Sequence, residues 1–467
     1  MSRESRQSVV HVALALLFVS SVALPALTDP TVASNAAGAG TSQYDNFLIM
    51  QRGAMQASIE AKTTVERAPH DSIASLHNEG SRSTDGVHAI QADRLHARGI
   101  TGEGVKDGVI GSAFDADNAA ITDQVAAHHS VDRRRVRAQT AHDTAVAEVV
   151  TRTTPGADLY LAGVGDSPTP QSYADAVDWL VENDVDVIVD SGSYFAPTTG
   201  DMSRISAAAE RATDRGVVFV TSAGNYADRH WTGVADGEKW VSFAPDSEAN
   251  ALADGNATKG RVSLKLYWNT SADYDLYLYR KTGGSDPVVA KSTTRQTADS
   301  NASSVETIDA IVPNGVYYVS VYAHEDTTDG TRLRLFSPHH SLSHTTAAGS
   351  MVAPATSERV ITVGAVDATS GLVREYSSRG AAGAHPDVGA PDGVATTSAG
   401  TFYGTSAAAP YVAGSAALIE SHRSELSPAE VEQLLESTAH DTGNGHQIDA
   451  FAAVEAASTE NVTARHS

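Results

Sequence analysis

Tyr173-Ala174-Asp175-Ala176-Val177-Asp178-Trp179-Leu180-Val181-Glu182-Asn183-Asp184-Val185-Asp186-Val187-Ile188-Val189-Asp190 holds the decisive change of period. Tyr173, Ala176, Val177, Leu180 and Val181 fall at i, i+3, i+4, i+7 and i+8, one face of a helix. Val185 to Val189 is then a short, mostly apolar run, as suits a strand buried on both faces. The same alternation continues outward. Met202 to Ala212 reads as a helix and Val217 to Val220 as a strand; Val109-Ile110, Ala157 to Ala162 and Val360 to Val363 are further apolar steps. Strand–helix alternation implies an α/β fold of three layers, a mostly parallel sheet with helices on both faces. Function in such sheets gathers at the carboxyl ends of the strands.

One segment breaks the pattern. Between about 240 and 345, Leu264 to Trp268, Tyr274 to Tyr279 and Val316 to Tyr322 read as strands. Turn residues such as Gly283-Gly284-Ser285-Asp286 and Pro313-Asn314-Gly315 separate them, so this is expected to be an inserted all-β module. After Arg359 the α/β pattern resumes. A long apolar helix runs from Ser406 to about His422, and Ser427-Pro428-Ala429-Glu430 is a capping box with Pro at the first helical position.

Composition narrows the function classes. The 467 residues include 33 basic and 57 acidic ones, a formal charge of −24, and only 7 of the basic residues are Lys. That balance excludes a typical nucleic-acid or anionic-membrane binder, which needs an excess of cations. It resembles the composition of proteins from salt-loving microbes, in which added salt screens like-charge repulsion. With no cysteine, disulfides, thiolate metal sites and cysteine catalysis are excluded together.

At the N-terminus, Arg3, Glu4 and Arg6 precede a largely apolar run from Val9 to Leu27, followed by small residues around Ala33 to Ala37. This is an export-signal pattern, and the expected product is secreted, or surface-anchored if the segment is not cleaved. The expected organisation is a signal peptide at 1–37, a propeptide or linker at 38–85 and the first part of the α/β domain at 86–239. The β-sandwich-like module at 240–345, the second α/β part at 346–460 and a tail at 461–467 follow.

Three segments carry residues suited to acyl transfer. Gly404-Thr405-Ser406-Ala407-Ala408-Ala409-Pro410 places a Ser at a helix N-terminus, where backbone N–H groups favour an oxyanion. Ala141-His142-Asp143-Thr144 places a His at the start of a small-residue helix, and Ser222-Ala223-Gly224-Asn225 places an Asn just beyond an apolar strand. Together they supply a nucleophile, a general base and an oxyanion donor.

With these segments the chain resembles the subtilisin-like serine proteases (subtilases) over about residues 86 to 460, less the insertion. Gly99 to Lys106 looks like the lead into the family's first core strand. Gly404 to Pro410 matches its nucleophile motif, with Ala408 where a Met is usual. His142-Asp143-Thr144 is similar to its His-Gly-Thr helix start, with Asp143 in place of the Gly. Ile448 to Val454 is similar to its last core segment. The resemblance implies a secreted serine endopeptidase with Ser406 as nucleophile, His142 as general base and Asn225 with the Ser406 N–H as oxyanion donors. Ser191, Gly192 and Ser193 would line the cleft and pair with an extended peptide. No cofactor is implied for the chemistry, and structural calcium is compatible with it. The expected partner is a protein or peptide substrate, with no nucleic acid, no membrane after signal cleavage, and a monomeric state.

One position departs from the family. Its strand-end Asp falls here on Gly111, in Val109-Ile110-Gly111-Ser112-Ala113-Phe114-Asp115. The carboxylate that orients His142 is then expected to be Asp190, at the end of the neighbouring strand, or Asp115. If neither serves, the chain is an impaired subtilase-fold protein that holds peptides or glycans.

Overall fold

The computed structural model describes residues 66–67, 85–130, 137–196, 199–235, 238–296, 304–324, 330–442 and 445–464. The expected signal segment lies outside them, as does the expected propeptide or linker apart from Glu66–Arg67 and Asp85.

The chain forms strands β1 (Glu66–Arg67), β2 (Lys106–Gly111), β3 (Val125–Ser130), β4 (Asp158–Gly163), β5 (Val187–Asp190), β6 (Tyr194–Phe195) and β7 (Val218–Ser222). In the module lie β8 (His230–Val234), β9 (Asn250–Ala251), β10 (Thr258–Trp268), β11 (Tyr274–Arg280), β12 (Val288–Ser292), β13 (Ser304–Gly315), β14 (Tyr317–Ala323) and β15 (Arg332–Phe336). There follow β16 (Ile361–Asp367), β17 (Val388–Asp392), β18 (Val394–Thr396), β19 (Gly400–Phe402), β20 (His440–Asp441) and β21 (His446–Gln447).

The large sheet has the order β20-β21-β17-β16-β7-β5-β2-β4-β3. All its pairings are parallel except β20–β21. The order sets the carboxyl ends of β2, β5 and β7 side by side. Each strand alternates its residues between the two helical layers, because side chains in a strand have a period of two. Val109, Val187 and Val189 join the core with the histidine helix (Arg137–Thr153) and the serine helix (Thr405–His422). Ile110 and Ile188 join the other core, against helices Pro170–Glu182 and Thr199–Asp214.

Small residues let the two site-bearing helices pack closely. Ala407, Ala408, Ala409, Ala413, Ala416 and Ala417 are all buried. The serine helix lies against the histidine helix and across β5, β7, β16 and β17. Helix Pro428–Ser437 starts at the expected capping box on Ser427.

The inserted module consists of two four-stranded antiparallel sheets, β13-β10-β15-β8 and β12-β11-β14-β9. They share an apolar core that includes Leu264, Leu266, Leu276, Leu278, Val319, Val321, Leu333 and Leu335. β8 pairs with β15, so the module's sheets draw in chain from His230, ahead of the Trp240 region where its composition changes.

One buried acid sits unfavourably in the large sheet. Asp107, on β2, is pushed up to about 7, by burial first, with Asp186 adding repulsion and the Thr154 hydroxyl working against both. Thr154 Oγ1 lies 2.7 Å from Asp107 Oδ2 and 2.9 Å from the Val150 carbonyl. One hydroxyl proton cannot serve two acceptors at once, so Thr154 gives the carboxylate only a shared hydrogen bond and does not offset its burial. A carboxyl raised in the fold stabilises least when ionised: the penalty is absent below the unfolded value near 4 and full above about 7. Asp107→Asn is therefore expected to raise stability at pH 8 by on the order of 3 kcal/mol and to change it little at pH 4. Urea unfolding at the two pH values checks this; an equal effect at both would refute it.

Candidate active site

The serine helix begins after Gly404, whose φ of 105° lies in the region that favours glycine. The Gly404 N–H donates to buried Asp392 at 2.9 Å, and Arg374 Nε donates to the same carboxylate at 2.6 Å. The turn before Ser406 is thus tied to the end of β17.

Pro410 lies inside the helix, four residues after Ser406. It has no N–H, so the Ser406 carbonyl loses its usual intrahelical donor. The Ser191 hydroxyl takes that place and donates to the Ser406 carbonyl at 3.1 Å. In return Ser406 Oγ donates to the Ser191 carbonyl at 3.0 Å. The motif's proline therefore frees the Ser406 carbonyl that locks the Ser406 turn to the segment after β5.

Asn225 follows β7 and faces the same helix end. Its carboxamide oxygen accepts from the Thr405 N–H at 3.0 Å and the Thr405 hydroxyl at 3.2 Å. The Gly224 N–H donates to Thr405 Oγ1 at 3.1 Å. With the oxygen committed, the Asn225 NH2 is the end left to donate to an oxyanion beside Ser406.

His142 lies in the first half of the histidine helix, the sixth residue of Arg137–Thr153 rather than its start. It is buried, and Phe402 meets its ring edge-on at 5.1 Å between centroids. Phe402 ends a hairpin whose tip is held by Glu148 of the same helix. Glu148 accepts from Thr397 N at 2.7 Å and from Ser398 N and Oγ at 3.0 and 2.9 Å. Burial alone would raise this carboxyl, but those donors and Arg152 hold it below the ordinary value.

The expectation for Asp190 is corrected. Its carboxylate accepts from Tyr173 Oη at 2.8 Å, the Gly192 N–H at 2.8 Å and Tyr194 Oη at 3.2 Å. The cause is strand parity: two residues from Ile188, Asp190 is turned to the sheet face opposite the histidine helix. Asp115 is exposed, and its backbone N–H bonds to Thr144 Oγ1 at 3.0 Å. The carboxylate at the imidazole is Asp143, with Oδ1 2.8 Å from His142 Nδ1. Residues the sequence reading passed over are therefore Asp143, Glu148, Asp392 and Phe402; for Asp143 the signal was its place where the resembling family has Gly.

Beside Ser191, Gly192 and Ser193 runs β6, and β1 lies antiparallel along it with Glu66 opposite Phe195 and Arg67 opposite Tyr194. This edge is lined here by an extended segment of the same chain. Phe336 and Tyr267 of the module contact it: Phe195 meets Phe336 at 5.1 Å, with Tyr226 also against Phe195 at 5.2 Å, and Tyr267 Oη donates to the Ala196 carbonyl at 3.0 Å.

Among the described residues, Asp387, Glu432 and Glu436 could offer three oxygens to an ion. Calcium takes about six to eight oxygens, and the Asp387 carboxylate already accepts from Thr362 N and Oγ1, each at 2.7 Å. These three do not make a calcium cage on their own.

A serine and an amide donor meet at one helix N-terminus, and a histidine–aspartate pair lies on the helix packed against it, in an α/β fold with a mostly parallel sheet. A sequence model of the Subtilase family matches residues 102–317 and 341–453, and the chain belongs to that family. Subtilisin E of Bacillus subtilis is 25% identical over 191 residues, 37% of this chain and 49% of that protein. Subtilisin amylosacchariticus of Bacillus subtilis subsp. amylosacchariticus is 41% identical over 191 residues with the same coverage. The chain thus spans about half the length of the curated relatives it matches. The solved structure of the Clostridium perfringens CspB protease is similar in fold, with TM-score 0.58 at 15% identity, covering 80% of this chain and 99% of that one.

Proposed function

We propose that this chain is a secreted serine endopeptidase that hydrolyses peptide bonds through an acyl-enzyme. The observation that carries the reading is the reciprocal Ser406–Ser191 pairing beside Asn225, which joins nucleophile, oxyanion donor and cleft edge at one helix end. Ser406 Oγ attacks the carbonyl carbon of an extended peptide. His142 takes the hydroxyl proton and passes it to the leaving amine. The Asn225 NH2 and the Ser406 N–H receive the negative oxygen, and water then releases the acyl group by the same route.

The peptide enters by strand addition beside Ser191, Gly192 and Ser193, a mode supported by the antiparallel lie of β1 on β6. The chemistry needs no cofactor. Calcium, if bound, is structural, and the protein acts as a monomer on protein or peptide substrates, not on nucleic acid. Export is supported by the N-terminal pattern, and no described helix is long and apolar enough to cross a membrane. The charge of −24 supports a salt-loving habitat, since salt cuts the Debye length from about 10 Å at 0.1 M to about 3 Å at 1 M.

A fluorophosphonate probe tests the reading. In molar salt, labelling is expected at Ser406 and is expected to vanish in His142→Ala; in low salt it should weaken as the fold loosens. Folded protein that stays unlabelled in molar salt would replace the enzyme by a peptide- or glycan-binding protein on the same scaffold.

A further inference from the structure

We infer that Asp143 is the positioning carboxylate for His142, and that the acid has changed elements, from the end of β2 to the histidine helix. The inference rests on the endopeptidase reading and names a residue which that reading leaves open.

Asp143 is buried and both its oxygens are engaged. Oδ1 receives His142 Nδ1 at 2.8 Å, and Oδ2 accepts from the Ser112 N–H at 2.6 Å and the Ala113 N–H at 3.2 Å. Those amides immediately follow Gly111, so the strand end still holds the carboxylate although it no longer supplies it. A Cβ at Gly111 would lie 2.8 Å from both Cβ and Cγ of Asp143 and 2.6 Å from the ring tip of Phe114. Gly111 is not among the glycines with positive φ, so space and not backbone conformation requires glycine there. Parity agrees: Gly111 is two residues from Val109, on the sheet face that packs against the histidine helix. Glycine on the strand leaves the room that the aspartate on the helix fills.

With its proton on Nδ1 shared with Asp143, the imidazole has its Nε2 lone pair for proton uptake and is stabilised when it becomes charged. Asn at 143 could keep its oxygen on the two amides while turning its NH2 to Nδ1. The ring would then carry its proton on Nε2, the wrong tautomer for a base.

Asp143→Asn is nearly isosteric and is expected to melt like the parent while kcat falls about 10⁴-fold, with KM within about threefold. Asp143→Gly should be as slow. Gly111→Asp with Asp143→Gly and Phe114→Ala, the last clearing the 2.6 Å approach of the Phe114 ring tip, returns the acid to the strand and is expected to recover at least about a hundredfold over Asp143→Gly with Phe114→Ala. A folded Asp143→Asn enzyme that keeps more than about a tenth of parental kcat would overturn the inference. So would a folded triple variant no faster than Asp143→Gly with Phe114→Ala. Failure of the endopeptidase reading looks different, because the parent itself would then neither label nor turn over.

Discussion

Ser406→Ala is expected to lower kcat on peptide substrates by on the order of 10⁵- to 10⁶-fold while KM changes little. The substitution removes the attacking oxygen and one hydrogen bond to the Ser191 carbonyl. It leaves the return bond from the Ser191 hydroxyl to the Ser406 carbonyl, which involves only the backbone of residue 406. The cleft should therefore stay assembled and bind peptides as before. Burst titration with an activated ester, compared with steady-state turnover on a peptide, separates the two effects. Residual turnover above about a hundredth of the parent would mean that another group attacks.

Asn225→Ala should cost about 10²- to 10³-fold in kcat, again with KM little changed, since an oxyanion donor acts mainly in the transition state. Asn225 also braces the helix through Thr405, so its catalytic and structural roles must be separated. Asn225→Asp keeps acceptors for the Thr405 N–H and hydroxyl but sets a negative charge beside the developing oxyanion. If Asn225 acts as a donor, Asp is as slow as Ala or slower. Recovery of near-parental kcat with Asp would assign the residue a purely structural role.

Much of the fold was legible because two periods dominate the text. The helix pattern from Tyr173 and the apolar run to Val189 become helix Pro170–Glu182 and strand β5. Less legible were strands whose apolar content is low. β13 alternates buried and half-buried residues and includes buried Glu306, and β3 alternates half-buried with exposed ones. Neither shows the continuous apolar run that marked the central strands.

Ser406 and Asn225 stand at one helix end, joined through Thr405, as the motif segments implied. Adjacency of strands points to Asp190, but the pleat turns it away. Ile110 lies opposite Asp190 in the β2–β5 register, and both turn from the histidine helix. Counting in twos from Val109 puts Gly111 on the histidine side. The aspartate beside His142, at the place where the resembling family has glycine, was the remaining clue. Glu148 left no such trace, since the Thr397 amide it holds lies 249 residues further along the chain.

The ring cluster of Phe195, Tyr226 and Phe336 ties one sheet of the module to the residue after Asn225 and to the edge strand of the cleft. An appendage joined by a tether could melt and leave its neighbour working. Here an exchange of modules between such proteins has to carry the aromatic wedge along.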